Sequence, residues 1–174
     1  MEWTGARYAD GPTAEVETWI DAPPERVWPV VTDVAAMADL SEEVQEVAWL
    51  DEGDGPALGR CFTGRNRHAA IGEWTTTSHV VECEEPRVFA WAVEDPDNPS
   101  ATWRFTLEPR DGGTLLRQWV RIGPGPSGLT LVIDARPDRE QKIVFVRMRE
   151  HEHAMTRTVA GIKARVEARA EGTG

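Results

Sequence analysis

Residues 138–169 carry one apolar stripe at steps of three and four: Val144, Met148, His151, Met155, Val159, Ile162 and Val166. A helix, at 3.6 residues per turn, puts such positions on one face. The opposite face holds Glu140, Arg149, Glu150, Arg157, Lys163, Arg165 and Glu167. At 1.5 Å per residue this helix spans on the order of 45 Å, enough to cross a whole domain. Pro137-Asp138 marks its start, with Asp138 as the expected N-cap. In a chain of 174 residues, which fits one domain, the remainder must supply the surface that covers this stripe.

That surface reads as β. From Ala14 to Asp21, Ala14, Val16, Thr18 and Ile20 alternate with Glu15, Glu17 and Trp19, a strand with one buried face. Ala22-Pro23-Pro24 ends it, and Pro24 suits the first turn of a helix over 25–33, in which Pro29 is expected to cause a kink. A second short helix is expected over 34–40. Segments near 44–51, 59–68, 71–83, 87–94, 101–109 and 113–122 are short and rich in Val, Thr, Trp and Phe. Turn residues separate them, among them Gly53-Asp54-Gly55-Pro56, Asp95-Pro96-Asp97 and Asp111-Gly112-Gly113. Strands this close in sequence join as antiparallel hairpins. Gly123-Pro124-Gly125-Pro126 cannot continue a ladder, and 129–135 is an apolar segment whose secondary structure the pattern does not settle.

The economical assembly is an α+β domain over 13–170, preceded by a flexible leader, 1–12. A curved antiparallel sheet of about seven strands wraps the long helix. One helix stripe cannot fill a strongly bent sheet, so a cavity between them is expected, at the ~300–1,000 Å³ usual for small-ligand sites.

Charge narrows the partners. With 30 Asp and Glu against 19 Lys and Arg, the net charge is −11. Arg60, Arg65 and Arg67 are too few to make a basic face, so no nucleic-acid partner is expected. No apolar run approaches the ~18–20 residues of a membrane span, and the first fifteen residues lack a signal peptide's basic flank and apolar stretch. A cytoplasmic location is expected. Cys61 and Cys83 have no CxxC spacing, and neither a metal site nor a cofactor is expected. No GxSxG, P-loop, GxGxxG or HExxH motif is present. The one tyrosine, Tyr8, falls in the leader, so a tyrosine acid in the cavity is not expected.

Several local motifs carry a resemblance. They are Ile20-Asp21-Ala22-Pro23-Pro24-Glu25-Arg26-Val27-Trp28 with Asp33, Gly59-Arg60-Cys61-Phe62 with Gly64 and Asn66, and Trp74-Thr75-Thr76. Glu84-Glu85-Pro86-Arg87-Val88-Phe89-Ala90-Trp91, Trp103-Arg104-Phe105 and Gly112-Gly113-Thr114 complete the set. In this, and in its β-α-α-β6-α order, residues 14–168 resemble the helix-grip superfamily of START domains, birch-pollen-type allergens and bacterial polyketide cyclases/dehydrases. The likeness is nearest to actinobacterial SRPBCC or polyketide cyclase-like members. The resemblance implies a ligand cavity more than any one reaction.

Strand parity names the residues expected to face that cavity. Outward Arg117 and Arg121 turn Gln118 inward; outward Arg65 and Arg67 turn Asn66 inward. Trp74 and Ser78, Trp91, and Trp103 fall on inward faces of their own strands. The helix stripe adds Met148, His151 and Met155. His151 is the one polar member of that stripe and the best candidate for a catalytic role, with Asn66 and Gln118 expected to converge on it. Three functions remain open: binding of a small hydrophobic or aromatic metabolite, a cofactor-independent cyclase, aromatase or dehydratase, and a protein-interaction module. Residues 123–137 are expected to form a lid over the cavity mouth or a homodimer contact.

Overall fold

The computed structural model describes residues 1–50, 52–53 and 55–171. Seven antiparallel strands form one sheet: β1 (Thr13–Ile20), β2 (Val44–Trp49), β3 (Cys61–His68), β4 (Gly72–Glu84), β5 (Val88–Val93), β6 (Ala101–Arg110) and β7 (Gly113–Ile122). Their spatial order is β1-β7-β6-β5-β4-β3-β2, so β2 to β7 are a meander and β1 adds beside the last strand. Between β1 and β2 lie α1 (Pro24–Val31), a 3-10 turn at Val34–Ala36 and α2 (Met37–Leu40). After β7 come α3 (Gly128–Ala135) and the long α4 (Glu140–Glu171). This is the expected α+β architecture, a curved sheet wrapped on a C-terminal helix.

Local chemistry sets the boundaries. Pro24 opens α1, where its missing N–H removes nothing. The helix runs continuously through Pro29, which forfeits only the bond back to Glu25. Thr32 closes it, its N–H and its hydroxyl both donating to Trp28 O at 3.0 and 2.9 Å. Val27, Trp28, Val30 and Val31 are buried against the sheet. Residues 129–135 are helical because Ser127 and Thr130 cap each other. Leu129 N–H donates to Ser127 Oγ at 3.2 Å and Ser127 N–H to Thr130 Oγ1 at 3.0 Å. Asp138 is not an N-cap; it lies inside a 3-10 turn, Pro137–Arg139, that leads into α4 from Arg136.

Every stripe residue of α4 is buried, from Val144 at 1% exposed to Val166 at 2%. The stripe serves two apolar clusters. One joins Val159, Ile162 and Val166 to α1 and to Phe89, Phe105 and Leu116. The other joins Val144, Met148 and Met155 to Tyr8, Val120, Ile122 and the α3 residues Leu129 and Ile133. Trp103 and Val16 pack against both.

Residues 1–12, expected as a flexible leader, lie against α4 instead. Trp3 meets Phe145 edge-on at 5.1 Å, the Met1 ammonium lies 2.9 Å from Glu152 Oε2, and Arg7 pairs with Glu140 at 3.2 Å. Tyr8 is buried, its N–H donating to Glu140 Oε1 and its hydroxyl to Gly125 O at 2.6 Å. Burying a tyrosine with both ends hydrogen-bonded gives a short polar segment a reason to dock.

Candidate functional site: a cavity between the sheet and the C-terminal helix

A cavity of about 230 Å³ lies between the concave sheet face and the middle of α4. It is smaller than expected because rings fill the space. Trp91 lies with its ring centre 5.5–6.3 Å from those of Phe62, Phe89, Trp103 and Phe105. Trp91 and Trp103, cross-strand partners on β5 and β6, stack within 14° of parallel. From α4, Met155 closes the opposite wall.

Of the nine residues expected to bind ligand, eight line this cavity: Asn66, Trp74, Ser78, Trp91, Trp103, Gln118, His151 and Met155. Met148 does not. It shares the face of Met155, but seven residues, roughly 10 Å, further toward the helix N-terminus. There it borders a separate groove with Met1, Thr4, Pro12 and Val144.

The polar side chains have distinct environments. Asn66 donates through Nδ2 to Gly64 O at 3.0 Å and to Thr76 Oγ1 at 3.3 Å, so its amide secures the β3–β4 hairpin. Among the described residues no hydrogen bond joins it to His151, although both line the cavity. The imidazole of His151 stands edge-on to Trp103, with ring centres 5.2 Å apart and planes at 86°. Burial first, then the charge of Arg147, then His68, hold its pKa well below 6.5. His151 is neutral at neutral pH. Gln118 is 6% exposed, and its Oε1 is buried with no hydrogen-bond partner among the described residues.

Two contributors escaped the sequence reading. Arg147, one turn before His151, is 9% exposed and lines the cavity. Its guanidinium grips both carboxylate oxygens of Glu43 at 2.7 and 2.8 Å and reaches Glu150 Oε2 at 3.3 Å. Glu150 also meets His68 Nε2 at 3.3 Å, which ties the end of β3 to α4. Partner charges outweigh the burial that would otherwise lower the Arg147 pKa, which is raised. The position of Arg147 beside the stripe was a usable signal; nothing in sequence pairs it with Glu43. Tyr8 is the second, carried to the cavity mouth beside Ser100 and Ser127 by the docked N-terminal segment. The one tyrosine therefore does border the cavity.

Lining residues Ser127, Gly128 and Leu129 put the start of α3 at the mouth. Ile71, at the β3–β4 turn, faces it so closely that a Cβ on Gly128 would lie 2.8 Å from Ile71 Cγ2. Away from the cavity, Cys61 Sγ lies 3.2 Å from His79 Nδ1, its cross-strand partner. Neither cysteine is in a disulfide, and burial, then Glu85, pushes the Cys83 thiol up. Among the described residues no group of three His, Cys, Asp or Glu side chains is placed to hold a metal ion, and no helix is long and apolar enough to cross a membrane.

Comparison with known proteins gives a consistent picture. The family described as polyketide cyclase/dehydrase and lipid transport matches residues 12–167. The polyketide cyclase-like protein Cgl2372 from Corynebacterium glutamicum is 28% identical at a TM-score of 0.66, over 92% of this chain and 94% of that one. The Zhui aromatase/cyclase from Streptomyces sp. R1128 is 19% identical at 0.66, over 94% and 98%. Ara h 8.0201 is 15% identical at 0.55, over 90% and 98%. At these lower identities the likeness is one of fold. A search of the curated proteins finds no match. Because the family match spans the sheet, the cavity and nearly all of α4, the chain belongs to the polyketide cyclase/dehydrase and lipid transport family.

Proposed function

We propose that this protein binds a small, largely apolar aromatic metabolite in the cavity between the sheet and α4. The observation that carries the reading is the near-parallel Trp91–Trp103 stack on the wall of a 230 Å³ cavity. Flat indole faces present a large apolar area that a planar ligand can cover. Among the polar lining groups, Ser78, Gln118 and His151 can orient a ligand without charge, while Arg147 and Glu43, also on the wall, are paired with each other. A cavity of this kind weighs against a module that only binds other proteins. In this reading α3 is a lid whose buried Leu129 and Ile133 close the mouth, with Leu131, 71% exposed, on its outer side.

The test is native mass spectrometry of protein purified from its own cells, followed by tryptophan fluorescence titration with whatever co-purifies. Mass shifts that vanish on denaturation and quench the tryptophans on re-addition are the expected result. Protein that carries nothing, and whose emission no planar aromatic probe changes, rules the reading out.

A second reading has one observation in its favour. Neutral His151 on the cavity wall can take a proton from a bound substrate, so a cyclase or dehydratase step is chemically available. Structural neighbours that are aromatase/cyclases, such as Zhui, supply the analogy.

A further inference from the structure

Gln118 places a polar amide on the wall of the cavity. Its cross-strand neighbours are Val16 on β1 and Phe105 on β6, and neither side chain can hydrogen-bond. From above, the cavity is closed by Met155 and by His151, whose ring lies edge-on to Trp103. Gln118 is nevertheless 6% exposed, and its Oε1 has no hydrogen-bond partner among the described residues. A leucine there would pack at no such cost, so the amide reads as a group held for something that is not part of the chain. Gln118 lines the cavity, and its terminal torsion is soft and two-fold, so either end of the amide can be offered to a ligand.

Size sets the second bound. An apolar cavity of ~150 Å³ accepts benzene. At about 230 Å³ this one holds roughly two fused rings. Charge sets the third. The Arg147 guanidinium is already bound by both Glu43 oxygens, and His151 is neutral, so among the described lining residues no unpaired cation faces a ligand carboxylate.

We propose that Gln118 is the specificity-determining residue of the cavity, selecting a neutral two-ring aromatic that bears a hydroxyl group. The O–H donates to Gln118 Oε1 while the rings lie along the Trp91–Trp103 wall. Because a hydroxyl both donates and accepts, it satisfies the amide where an ether, a halogen or a bare ring edge does not. This deepens the proposed function and rests on it.

The test is tryptophan fluorescence titration of the full chain and of Gln118→Leu with four probes: 2-naphthol, 2-fluoronaphthalene, naphthalene and 2-naphthoate. Fluorine matches the hydroxyl closely in size but has no proton to donate. For the unaltered chain, 2-naphthol is expected to bind about tenfold more tightly than 2-fluoronaphthalene or naphthalene, as one buried hydrogen bond supplies. 2-Naphthoate is expected to bind more weakly still, since its carboxylate would be buried without a partner. In Gln118→Leu, 2-naphthol should fall to the level of naphthalene. Undiminished naphthalene binding by that variant would show that it folds. Equal binding of 2-naphthol and 2-fluoronaphthalene, a preference that survives Gln118→Leu, or tight binding of 2-naphthoate each overturns this inference alone. Failure of all four probes to bind overturns it together with the cavity reading.

Discussion

Arg147 of α4 holds Glu43, which precedes β2, through two charge-assisted hydrogen bonds of 2.7 and 2.8 Å. The partners are 104 residues apart in sequence, and the Arg147 side chain is only 11% exposed. This bidentate pair ties the start of β2, an edge strand, to the helix that the sheet wraps. Removing Arg147 leaves the Glu43 carboxylate, whose side chain is 28% exposed, only partly hydrated and without its bidentate partner. Arg147→Met is therefore expected to lower stability by roughly 3 kcal/mol. The double change with Glu43→Gln should recover much of the loss, since no buried charge then remains. Urea unfolding of the three variants measures both. A single-variant effect below a few tenths of a kcal/mol would show that Glu43 rehydrates freely.

His151 gives stability a pH dependence of known sign. Its folded pKa is depressed by burial, then by Arg147 and His68, while in the unfolded chain it returns to about 6.5. Below that value the unfolded state binds a proton that the folded state refuses. This group's contribution is thus fully present above pH ~6.5 and is lost as pH falls toward the folded pKa, at up to about 1.4 kcal/mol per pH unit. His151→Leu should remove that part of the slope and leave stability at pH 7.5 unchanged or raised. Unfolding curves between pH 5 and 7.5 decide it. A slope identical in the variant would mean that other groups carry the acid sensitivity.

Tyr8 fastens the N-terminal segment to the loop that leads into α3. Its hydroxyl donates to Gly125 O at 2.6 Å in a buried setting. Tyr8→Phe deletes that bond and the longer contacts of the same hydroxyl with Ser100 O and Ser127 Oγ, at 3.3 and 3.5 Å, so a loss of about 1 kcal/mol is expected. Amide exchange over residues 123–135 should quicken while β5 and β6 stay protected. Unchanged exchange there would show that α3 is held by Leu129 and Ile133 alone.

These residues also mark where sequence is informative. The α4 stripe was legible because one period of three to four governs it from Val144 to Val166, and every member is buried. Strand parity placed Gln118 because Arg117 and Arg121 fix the outward face of β7, and Trp103 because it shares a face of β6 with Phe105 and Leu107. Arg147–Glu43 was not legible, since pairing across 104 residues depends on how the sheet curls. Tyr8 was missed for a related reason: a segment without periodicity can still dock through one buried ring. Met148 shows the limit of a stripe, which gives the face of a helix but not how far along it a cavity extends. Ring packing, not strand number, sets the volume.

Trp91 controls that volume. It is 7% exposed and its ring is flanked by Phe62, Phe89, Trp103 and Phe105. β5 is a central strand, paired on one side with β4 and on the other with β6, so the backbone cannot close in on a missing ring. Trp91→Ala should therefore lower stability by about 3–5 kcal/mol and leave the vacated space joined to the existing cavity. That predicts a change of ligand size. A three-ring probe such as anthracene, too large for about 230 Å³, should bind Trp91→Ala and raise its unfolding temperature, while leaving the unaltered chain's unfolding temperature where it was. Thermal unfolding of both proteins with and without the probe measures both effects. A variant that loses stability and gains no response to anthracene would mean that the neighbouring rings collapse into the gap, and that the indole supports the wall without setting the size of what it holds.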